Sequence, residues 1–438
     1  MDNQLSLFEP LDRTGRQKEC LKAWINNKCK GSIVATTGFG KTRVGLMASK
    51  LLSQKYPNLK IIVVVPTDTL QRQWQAQLFE MGLAGQSEVI IINTLVNSYH
   101  QCDLLILDEA HRYASPVFSQ VFTKVKYTFI LALSATMERL DGKHEFLYKY
   151  CPVVDRINDL EAIANGWVAQ SIEYKVILDV ADIEIYKQIS KEFNEHFEFF
   201  QYNFDLATSM LGKDGYVMRS AYRDKLCAEN KSLNPKETFK MITYHATALA
   251  RALQARKKFI NEHPDKIRLT REIIKHRPNA KIITFSATTE IAEKIGYGYV
   301  YTGKDSKKKG RITLNEFATK PSGVLNTVKK CDEGLDCPGI NLAIILGYDS
   351  SPTRYKQRKG RAIRKEGNKI SELFTFVIND TVETTWFAKS HSEDSSKKND
   401  TPEGNEPIPI NEENLMKVLR GEEYETYRRP VAKFMFRF

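Results

Sequence analysis

The stretch Ser32–Thr42, Ser-Ile-Val-Ala-Thr-Thr-Gly-Phe-Gly-Lys-Thr, decides the fold. It predicts a short buried strand, a tight loop and the start of a helix. Gly38 and Gly40 let the backbone turn sharply and approach a ligand closely. Lys41 and Thr42 stand where a helix N-terminus begins, and that end of a helix attracts phosphate. In such a loop the amides and the Lys hold phosphates, and the Thr hydroxyl binds Mg²⁺.

This loop departs from the strict phosphate-binding pattern at one position. The full pattern has another Gly five positions before the Gly of Gly-Lys-Thr, and Ala35 stands there. Because Gly-Lys-Thr also occurs in ordinary loops, the stretch by itself leaves both interpretations open. The other motifs of the chain decide between them.

Length and composition describe an ordinary globular chain. Its 438 residues suffice for about two to four domains, and 42% of them are apolar. Apolar runs such as Ile61–Val65 are too short to cross a bilayer, and the N-terminus has no basic-then-apolar signal pattern. We therefore expect no membrane contact and a cytoplasmic location, in the host cytoplasm if the protein is viral. The seven Cys residues include no Cys-x-x-Cys, which favours a reduced interior over disulfides or zinc.

The charge of the chain indicates a polyanionic partner. The formal net charge is +12, with an isoelectric point of about 9.1. Between Arg219 and Arg277 there are 15 Lys or Arg against 6 Asp or Glu. Most of the excess therefore lies in one middle segment, which is where we expect a nucleic-acid contact.

Strands and helices alternate after the phosphate loop. The pattern predicts strands at 60–65, 89–93, 103–108 and 127–133, and a helix over 70–81. Continuous apolar strands that alternate with helices are typical of a parallel sheet covered on both faces. Ligands of such sheets bind at the carboxyl ends of the strands, where the remaining motifs lie.

Asp108-Glu109-Ala110-His111 leaves the third of these strands. Two adjacent acids at the end of a buried strand are costly unless they bind something. Asp108 is predicted to hold Mg²⁺ and Glu109 to activate water for attack on a γ-phosphate, although a plain strand exit remains the alternative. Ser134-Ala135-Thr136 ends the next strand and carries no signal on its own. Gln17 either reads an adenine or faces solvent.

The second half provides an independent set of motifs. Predicted strands at 281–285, 299–302, 324–328 and 343–346 precede Gln357-Arg358-Lys359-Gly360-Arg361-Ala362-Ile363-Arg364. Arg361 and Arg364 lie three residues apart and can share one helix face. Arginine stabilises charge on a transferring phosphoryl group and can do so across an interface.

In this order and spacing the motifs resemble those of the DEAD/DEAH-like superfamily 2 helicases, over about residues 13–388. The likeness extends to phage branch-migration and recombination DNA helicases. It implies an α/β fold of two tandem RecA-like parallel-sheet lobes with a mainly helical insert. ATP and Mg²⁺ would lie between the lobes. Ala35 is common at its position in this superfamily.

The resemblance also implies roles for residues of both lobes. Lys41, Glu109, Arg361 and Arg364 would be catalytic. The nucleotide would be bound by Gln17, Gly38, Gly40, Lys41, Thr42, Asp108, Gly334 and Asp336, and the metal by Thr42 and Asp108. Nucleotide state would be coupled to movement by His111, Ser134, Thr136 and Gln357. DNA phosphates would contact Thr67, Arg72, Thr94, Ser286 and Thr327, which positions a strand without reading sequence.

The substrate is the open question at this level. The compact two-lobe chain with a helical insert is more similar to DNA translocases of the DEAH-like group than to RNA helicases. This resemblance implies forked or branched DNA as the substrate, tracked along one strand by a monomer, with RNA less likely. The alternatives are an RNA helicase, a restriction-type motor, and an ATP-gated clamp that binds nucleic acid without unwinding it. Branch-migration helicases often carry an N-terminal DNA-binding domain, and here only about fifteen residues precede Gln17.

Residues 182–275 are predicted to be helical, aromatic at the start and basic at the end. One interpretation is a packed helical subdomain with solvated Lys and Arg. The other is a DNA-gripping arm with an exposed wedge at Phe199 and Phe200 or at Tyr216.

The predicted divisions of the chain are lobe 1 at 1–158, crossover and insert at 159–275, lobe 2 at 276–388, a flexible tether at 389–412 and a helix with a tail at 413–438. Residues 172–178 are also predicted as a first strand of lobe 2.

Overall fold

The computed structural model describes residues 12–138, 142–168, 171–212, 214–302, 305–328, 337, 339–347, 355, 358–360, 370–392 and 406–424. Two large parallel sheets, a small two-stranded pair and the helices around them account for most of these residues. None of the helices in the described ranges is long and apolar enough to span a bilayer.

Lobe 1 is built on a six-stranded parallel sheet in the order β3-β2-β5-β7-β1-β8, with a small β4-β6 pair beside it. Its strands are β1 (Lys30–Ala35), β2 (Ile61–Val65), β3 (Ser87–Ile91), β4 (His100–Gln101), β5 (Leu104–Asp108), β6 (Val125–Lys126), β7 (Phe129–Ser134) and β8 (Val153–Ile157). Every residue of β2 and β5 is buried, as expected for strands that helices cover on both faces.

The helices of lobe 1 connect these strands. They are α1 (Arg13–Asn26), α2 (Lys41–Lys55), α3 (Asp68–Glu80), α4 (Ile92–Leu95), α5 (Val121–Lys124), α6 (Glu145–Tyr148) and α7 (Asp159–Ala164), with 3₁₀ turns at Ala84–Gln86, Ala110–Ala114 and Phe118–Gln120. The Thr67 hydroxyl accepts a hydrogen bond from the Leu70 amide and so caps α3. The predicted α/β architecture is confirmed for this lobe.

Four helices form the insert: α8 (Ile183–Glu198), α9 (Phe204–Ser209), α10 (Gly215–Glu229) and α11 (Pro235–Glu262). They pack around their own apolar cluster, which includes Phe193, Phe200, Met210 and Ile242. The insert therefore has a core separate from those of the two sheets.

Lobe 2 is a seven-stranded parallel sheet in the order β11-β12-β10-β13-β14-β9-β15. Its strands are β9 (Ser171–Leu178), β10 (Lys281–Ser286), β11 (Tyr299–Tyr301), β12 (Gly323–Val328), β13 (Leu342–Ile345), β14 (Ser371–Ile378) and β15 (Ile408–Ile410). Its helices are α12 (Pro264–His276), α13 (Thr289–Lys294), α14 (Lys307–Thr319), α15 (Val382–Ser392) and α16 (Glu412–Arg420).

The chain enters lobe 2 before the insert and returns to it afterwards. β9 pairs with β14 along its whole length, which confirms 172–178 as a strand of this lobe. α12 packs into the core of lobe 2 through Leu269 and Ile273. Its Lys266 forms a fully buried ion pair with Glu383 at 2.6 Å. The boundary predicted at residue 275 is therefore wrong, because the insert proper ends with α11.

The end of the chain also belongs partly to lobe 2. β15 pairs with β9 at the sheet edge, and α16 buries Leu415 against the same core. Arg268 of α12 pairs with Glu412 at 2.8 Å. The tether predicted at 389–412 is therefore wrong at both ends, since α15 continues to Ser392 and β15 begins at Ile408. Residues 393–405 of the predicted tether and 425–438 of the tail lie outside the described residues.

Candidate ATP-binding site

The loop between β1 and α2 has the backbone that a phosphate cradle requires. Gly38 and Gly40 have φ angles of +93° and +95°, in the left-handed region that favours glycine. A Cβ on Gly40 would lie 2.6 Å from Gln17 Nε2, so space as well as conformation demands glycine there. α2 begins at Lys41, directly after Gly40, and points its N-terminus into the loop.

Lys41 lies inside this loop. Its Nζ donates to the carbonyl oxygens of Ala35 at 2.9 Å and of Thr36 at 3.5 Å. Burial lowers the pKa of Lys41, while the negative charges of Glu109 and Asp108 act in the opposite direction. The ammonium group is thus held by weak neutral acceptors, which a phosphate oxygen can replace.

Asp108 ends β5 with both carboxylate oxygens engaged. Oδ2 accepts a hydrogen bond from Trp74 Nε1 at 2.8 Å, and Oδ1 accepts one from the Glu109 amide at 3.0 Å. Burial, with the neighbouring Glu109 charge, raises the pKa of Asp108 to about 6. A carboxylate held in this way keeps one lone pair on each oxygen for another partner.

Glu109 follows in a strained conformation. Its φ of +53° lies in the left-handed region, which is uncommon for a residue with a side chain. Its Oε2 is buried and accepts no hydrogen bond from any described residue; it lies 3.6 Å from His111 Nδ1. An unsatisfied buried carboxylate oxygen next to the phosphate loop fits an acid that orients water.

The structure brings His111, Ser134 and Thr136 together. The His111 Nδ1 atom lies 3.1 Å from the Ser134 hydroxyl, which in turn contacts the Thr136 carbonyl oxygen. This chain of contacts joins the strand ends of β5 and β7. Its coupling role stays a prediction, and Gln357 lies outside the described residues.

Gln17 does not face solvent. Its side chain is only 4% exposed, and its Nε2 donates to the Phe39 carbonyl oxygen at 2.9 Å. The solvent-facing alternative is therefore wrong, while adenine recognition stays a prediction. Two residues that sequence reasoning missed lie here as well. The Trp167 ring lies 5.5 Å from that of Phe39, and Val168 Cγ2 lies 3.7 Å from the position of a Gly38 Cβ.

The residues of this site fit Mg²⁺. The Asp108 carboxylate and the Thr42 hydroxyl are hard oxygen donors of the kind that this ion prefers, and the Glu109 oxygen is available to hold an associated water. Thr42 and Asp108 would hold the ion. When bound, it would neutralise charge on the phosphates.

Lobe 2 reaches this loop through Gly360. A Cβ on Gly360 would lie 2.3 Å from Thr37 Cβ, so the two backbones pack against each other. The neighbouring Arg358 donates to the Gly347 carbonyl oxygen at 2.7 Å, which ties this segment to the end of β13. Arg361, Arg364, Gly334 and Asp336 lie outside the described residues.

The protein residues that are predicted to contact nucleic acid differ in their exposure. Arg72 and Thr94 of lobe 1 are exposed, and Thr67 is half-buried at the start of α3. Ser286 and Thr327 of lobe 2 are fully buried, and the Thr327 hydroxyl donates to the Thr284 carbonyl oxygen at 2.7 Å. The prediction of direct side-chain contacts is therefore wrong for these last two, because their strand ends are covered.

The predicted wedge residues divide in the same way. Phe200 is fully buried in the insert core, so its assignment as an exposed tip is wrong. Phe199 is half-buried and stacks on His245 with ring centroids 4.1 Å apart. Tyr216, at the start of α10, is 67% exposed. Of the three, Tyr216 is the one free to meet a base.

Comparison with known proteins defines the class. Residues 12–96 and 92–139 match the family described as type III restriction enzyme, res subunit, and residues 265–366 match the helicase conserved C-terminal domain. The chain belongs to the superfamily 2 helicases, which makes it a nucleic-acid-dependent enzyme that hydrolyses ATP.

Individual relatives extend this result. The chain is 28% identical over 397 residues to the DNA 3′-5′ translocase XPB2 of Sulfurisphaera tokodaii, covering 84% of this chain and 82% of that protein. It is 23% identical over 412 residues to putative helicase 22 of a Sulfolobus islandicus filamentous virus, covering 86% and 65%. The fold is similar to that of S. cerevisiae Dbp5 bound to RNA and ADP BeF3, with a TM-score of 0.56, 13% identity and coverage of 92% and 91%.

Proposed function

We propose that this protein is an ATP-dependent DNA translocase that tracks along one strand and acts on forked or branched DNA. The observation that carries the proposal is the joint site in which the phosphate loop, the Asp108–Glu109 pair and Gly360 of the second lobe meet. A site divided between two lobes can convert ATP binding and hydrolysis into closing and opening of a cleft.

The residues of lobe 1 have separate roles in the hydrolysis of ATP. Lys41 and the amides of the loop bind the phosphates of ATP, and Glu109 orients the attacking water. Thr42 and Asp108 hold Mg²⁺. Arg361 and Arg364 stabilise the charge that develops on the γ-phosphate.

Two observations favour DNA as the substrate. The relative that matches over most of both chains is named a DNA 3′-5′ translocase, which also suggests the direction of movement. The second half of the insert, Arg219–Glu262, carries 10 Lys or Arg against 4 Asp or Glu, and such an excess of positive charge suits a surface that binds phosphates. RNA remains the alternative substrate, and a restriction-type motor or an ATP-gated clamp the alternative activity.

Tyr216 is the proposed contact with the junction. Its ring lies 5.4 Å from that of Phe239, and the guanidinium groups of Arg219 and Arg223 each lie 5.9 Å from the Phe239 ring. An exposed aromatic ring beside two cations can stack on a base while the cations contact the flanking phosphates.

The test of substrate is the ATPase rate with no nucleic acid, single-stranded RNA, single-stranded DNA, duplex DNA, a fork and a four-way junction, at one fixed salt concentration. We expect the strongest stimulation with fork or junction DNA. Strongest stimulation by RNA would refute the substrate assignment. ATP hydrolysis without strand displacement or translocation, measured with a fluorescent fork and with streptavidin displacement, would favour the clamp.

The test of the wedge is Tyr216→Ala, with Tyr99→Ala as the matched control. Tyr99 is 79% exposed on lobe 1, so it controls for the loss of a surface aromatic. We expect Tyr216→Ala to slow fork unwinding about five- to tenfold, the equivalent of one lost stacking contact, with unchanged ATPase stimulation by single-stranded DNA. Equal unwinding by both variants would contradict the assignment.

A further inference from the structure

Trp74 is the buried partner of the Asp108 carboxylate. It lies in the middle of α3, is fully buried, and donates from Nε1 to Asp108 Oδ2 at 2.8 Å. A hydrogen bond to a buried carboxylate is among the stronger hydrogen bonds in proteins. It fixes the carboxylate plane at the end of β5.

This contact leaves Asp108 with a single defined orientation. The Glu109 amide holds Oδ1 at 3.0 Å and the indole holds Oδ2, so rotation of the carboxylate breaks at least one bond. The second donor comes from a different element, α3. The orientation of Asp108 therefore depends on where α3 lies relative to β5.

α3 and its cap also carry two of the three predicted nucleic-acid contacts of lobe 1, while Thr94 lies in α4. α3 begins after Thr67, and Arg72 is exposed on it. Trp74 follows Thr67 by seven residues, which is about 10 Å along a helix. The same helix thus presents one end to a nucleic-acid strand and its middle to the ATP site.

Trp74 is held tightly enough to transmit a displacement of this helix. A Cβ on Gly45 of α2 would lie 2.6 Å from Trp74 Cη2, so the indole fills the space between α2 and α3. α2 begins at the phosphate loop. Because packed interiors are close to incompressible, a shift of α3 moves the indole relative to both Asp108 and α2.

We propose that Trp74 is a positioning residue that orients the Asp108 carboxylate for Mg²⁺ and transmits the docking of a nucleic-acid strand on α3 to the ATP site. The second part rests on the proposed function, in which Thr67 and Arg72 contact that strand. Trp74 touches neither ATP nor the strand, and it acts through Asp108.

The first experiment compares Trp74→Phe with Trp24→Phe. Trp24 is also fully buried in lobe 1 and donates from Nε1 at 2.8 Å, but to the Ile130 carbonyl oxygen. The control therefore loses an equivalent indole bond away from the acidic pair. For Trp74→Phe we expect the Mg²⁺ concentration for half-maximal ATPase to rise about tenfold and the stimulation by single-stranded DNA to fall by a similar factor. Equal behaviour of the two variants would overturn the proposal.

The second experiment follows the indole N–H resonance of Trp74 in the wild-type protein by ¹⁵N NMR. The chain has four Trp residues, so the signal is assigned by elimination with Phe at the other three positions, even if Trp74→Phe does not fold. We expect the signal to shift when Mg²⁺ and a non-hydrolysable ATP analogue are added, and separately when single-stranded DNA is added without nucleotide.

Fluorescence anisotropy of labelled DNA and RNA separates the two proposals. Strand binding without a shift of the Trp74 signal would overturn the relay and leave the proposed function standing. Binding of RNA alone, with a shift, would retain the relay and refute the DNA assignment. Binding of neither nucleic acid would overturn both.

Discussion

Lobe 1 and the insert position their candidate functional side chains in different ways. In lobe 1 the candidate residues leave the ends of fully buried parallel strands, and their positions follow from the sheet. In the insert the candidates lie on α10 or in the turn after α8, around a small core, and the packing of the helices decides which of them are exposed. Glu109 and Ser134 thus both lie beside His111 at the strand ends, whereas Phe200 is buried and Tyr216 is exposed.

The difference shows what each scaffold can be used for. The carboxyl ends of parallel strands all lie at the same edge of a sheet, so a motif that follows such a strand is located at that edge. A residue on a helix, or in the turn that follows it, can point to the core or to solvent depending on small changes of helix rotation. We therefore expect substitutions of the site residues in lobe 1 to change the ATPase rate without changing stability. Substitutions in the insert should change either stability or nucleic-acid binding.

Lys41→Ala should give the largest change in activity. We expect the ATPase rate to fall about 10²- to 10³-fold, because a preorganised charge on the phosphates is lost, while the thermal midpoint stays unchanged. Lys50→Ala on the same helix is the control and should retain the wild-type rate. A Lys41→Ala protein with substantial ATPase activity would show that the phosphate loop does not bind ATP as proposed.

Phe200→Ala should give the largest change in stability. Removing a fully buried Phe from the insert core is expected to cost about 3–5 kcal/mol of unfolding free energy. Hydrogen exchange should show lost protection in α8–α11 and unchanged protection in β2 and β5. Tyr202→Ala, at an exposed neighbouring position, is the control. Equal loss of protection in lobe 1 would mean that the insert does not fold around a core of its own.

Lys257→Ala combined with Lys258→Ala should weaken nucleic-acid binding without a stability change. Both side chains are exposed on α11. If they contact phosphates, the slope of log K against log salt should fall by about 0.7 per residue for a single strand. Lys50→Ala with Lys55→Ala, exposed on α2 of lobe 1, is the matched control. An unchanged slope would favour the interpretation in which the basic run of the insert is only solvated.

The pH dependence of the stability of the insert should be the smallest of these effects. His245 lies with its Nδ1 atom 3.1 Å from that of His196, and burial, with the His196 charge, lowers the pKa of His245 below 6.5. As the pH falls, His245 of the unfolded chain therefore binds a proton at a higher pH than His245 of the folded protein does. The contribution of neutral His245 to stability is present above pH 6.5 and decreases below it.

Hydrogen exchange of the insert between pH 8 and pH 5.5 measures this effect, and His245→Asn should make the protection less dependent on pH. A variant with the wild-type pH dependence would show that another group is responsible.

Much of lobe 1 was predictable because its signals are local. Gly38, Gly40 and Lys41 define a loop whose conformation depends on glycine, and continuous apolar strands define a sheet that is covered on both faces. The predicted strand limits differ from those of the structure by only one or two residues at several ends, as for β3 and β7. Branched-DNA recognition stays a prediction, since no contact with DNA tests it.

The divisions of the second half were less predictable. β9 was predicted as a strand of lobe 2, but β15 joins the same sheet only by pairing with β9, more than 200 residues earlier in the chain. Composition alone made the segment before α16 appear to be a tether. Long-range strand pairing has no local signal, which is why these boundaries were misplaced.

The sequence by itself determined the class of enzyme, the phosphate loop and the acidic pair, because glycine conformation and strand-end chemistry are local properties. The tertiary structure alone decided that Trp74 holds Asp108, that Gln17 is buried against the loop, and that Phe200 is core while Tyr216 is surface. Each of these depends on how one element packs against another, and packing is a property of the assembled chain rather than of any stretch within it.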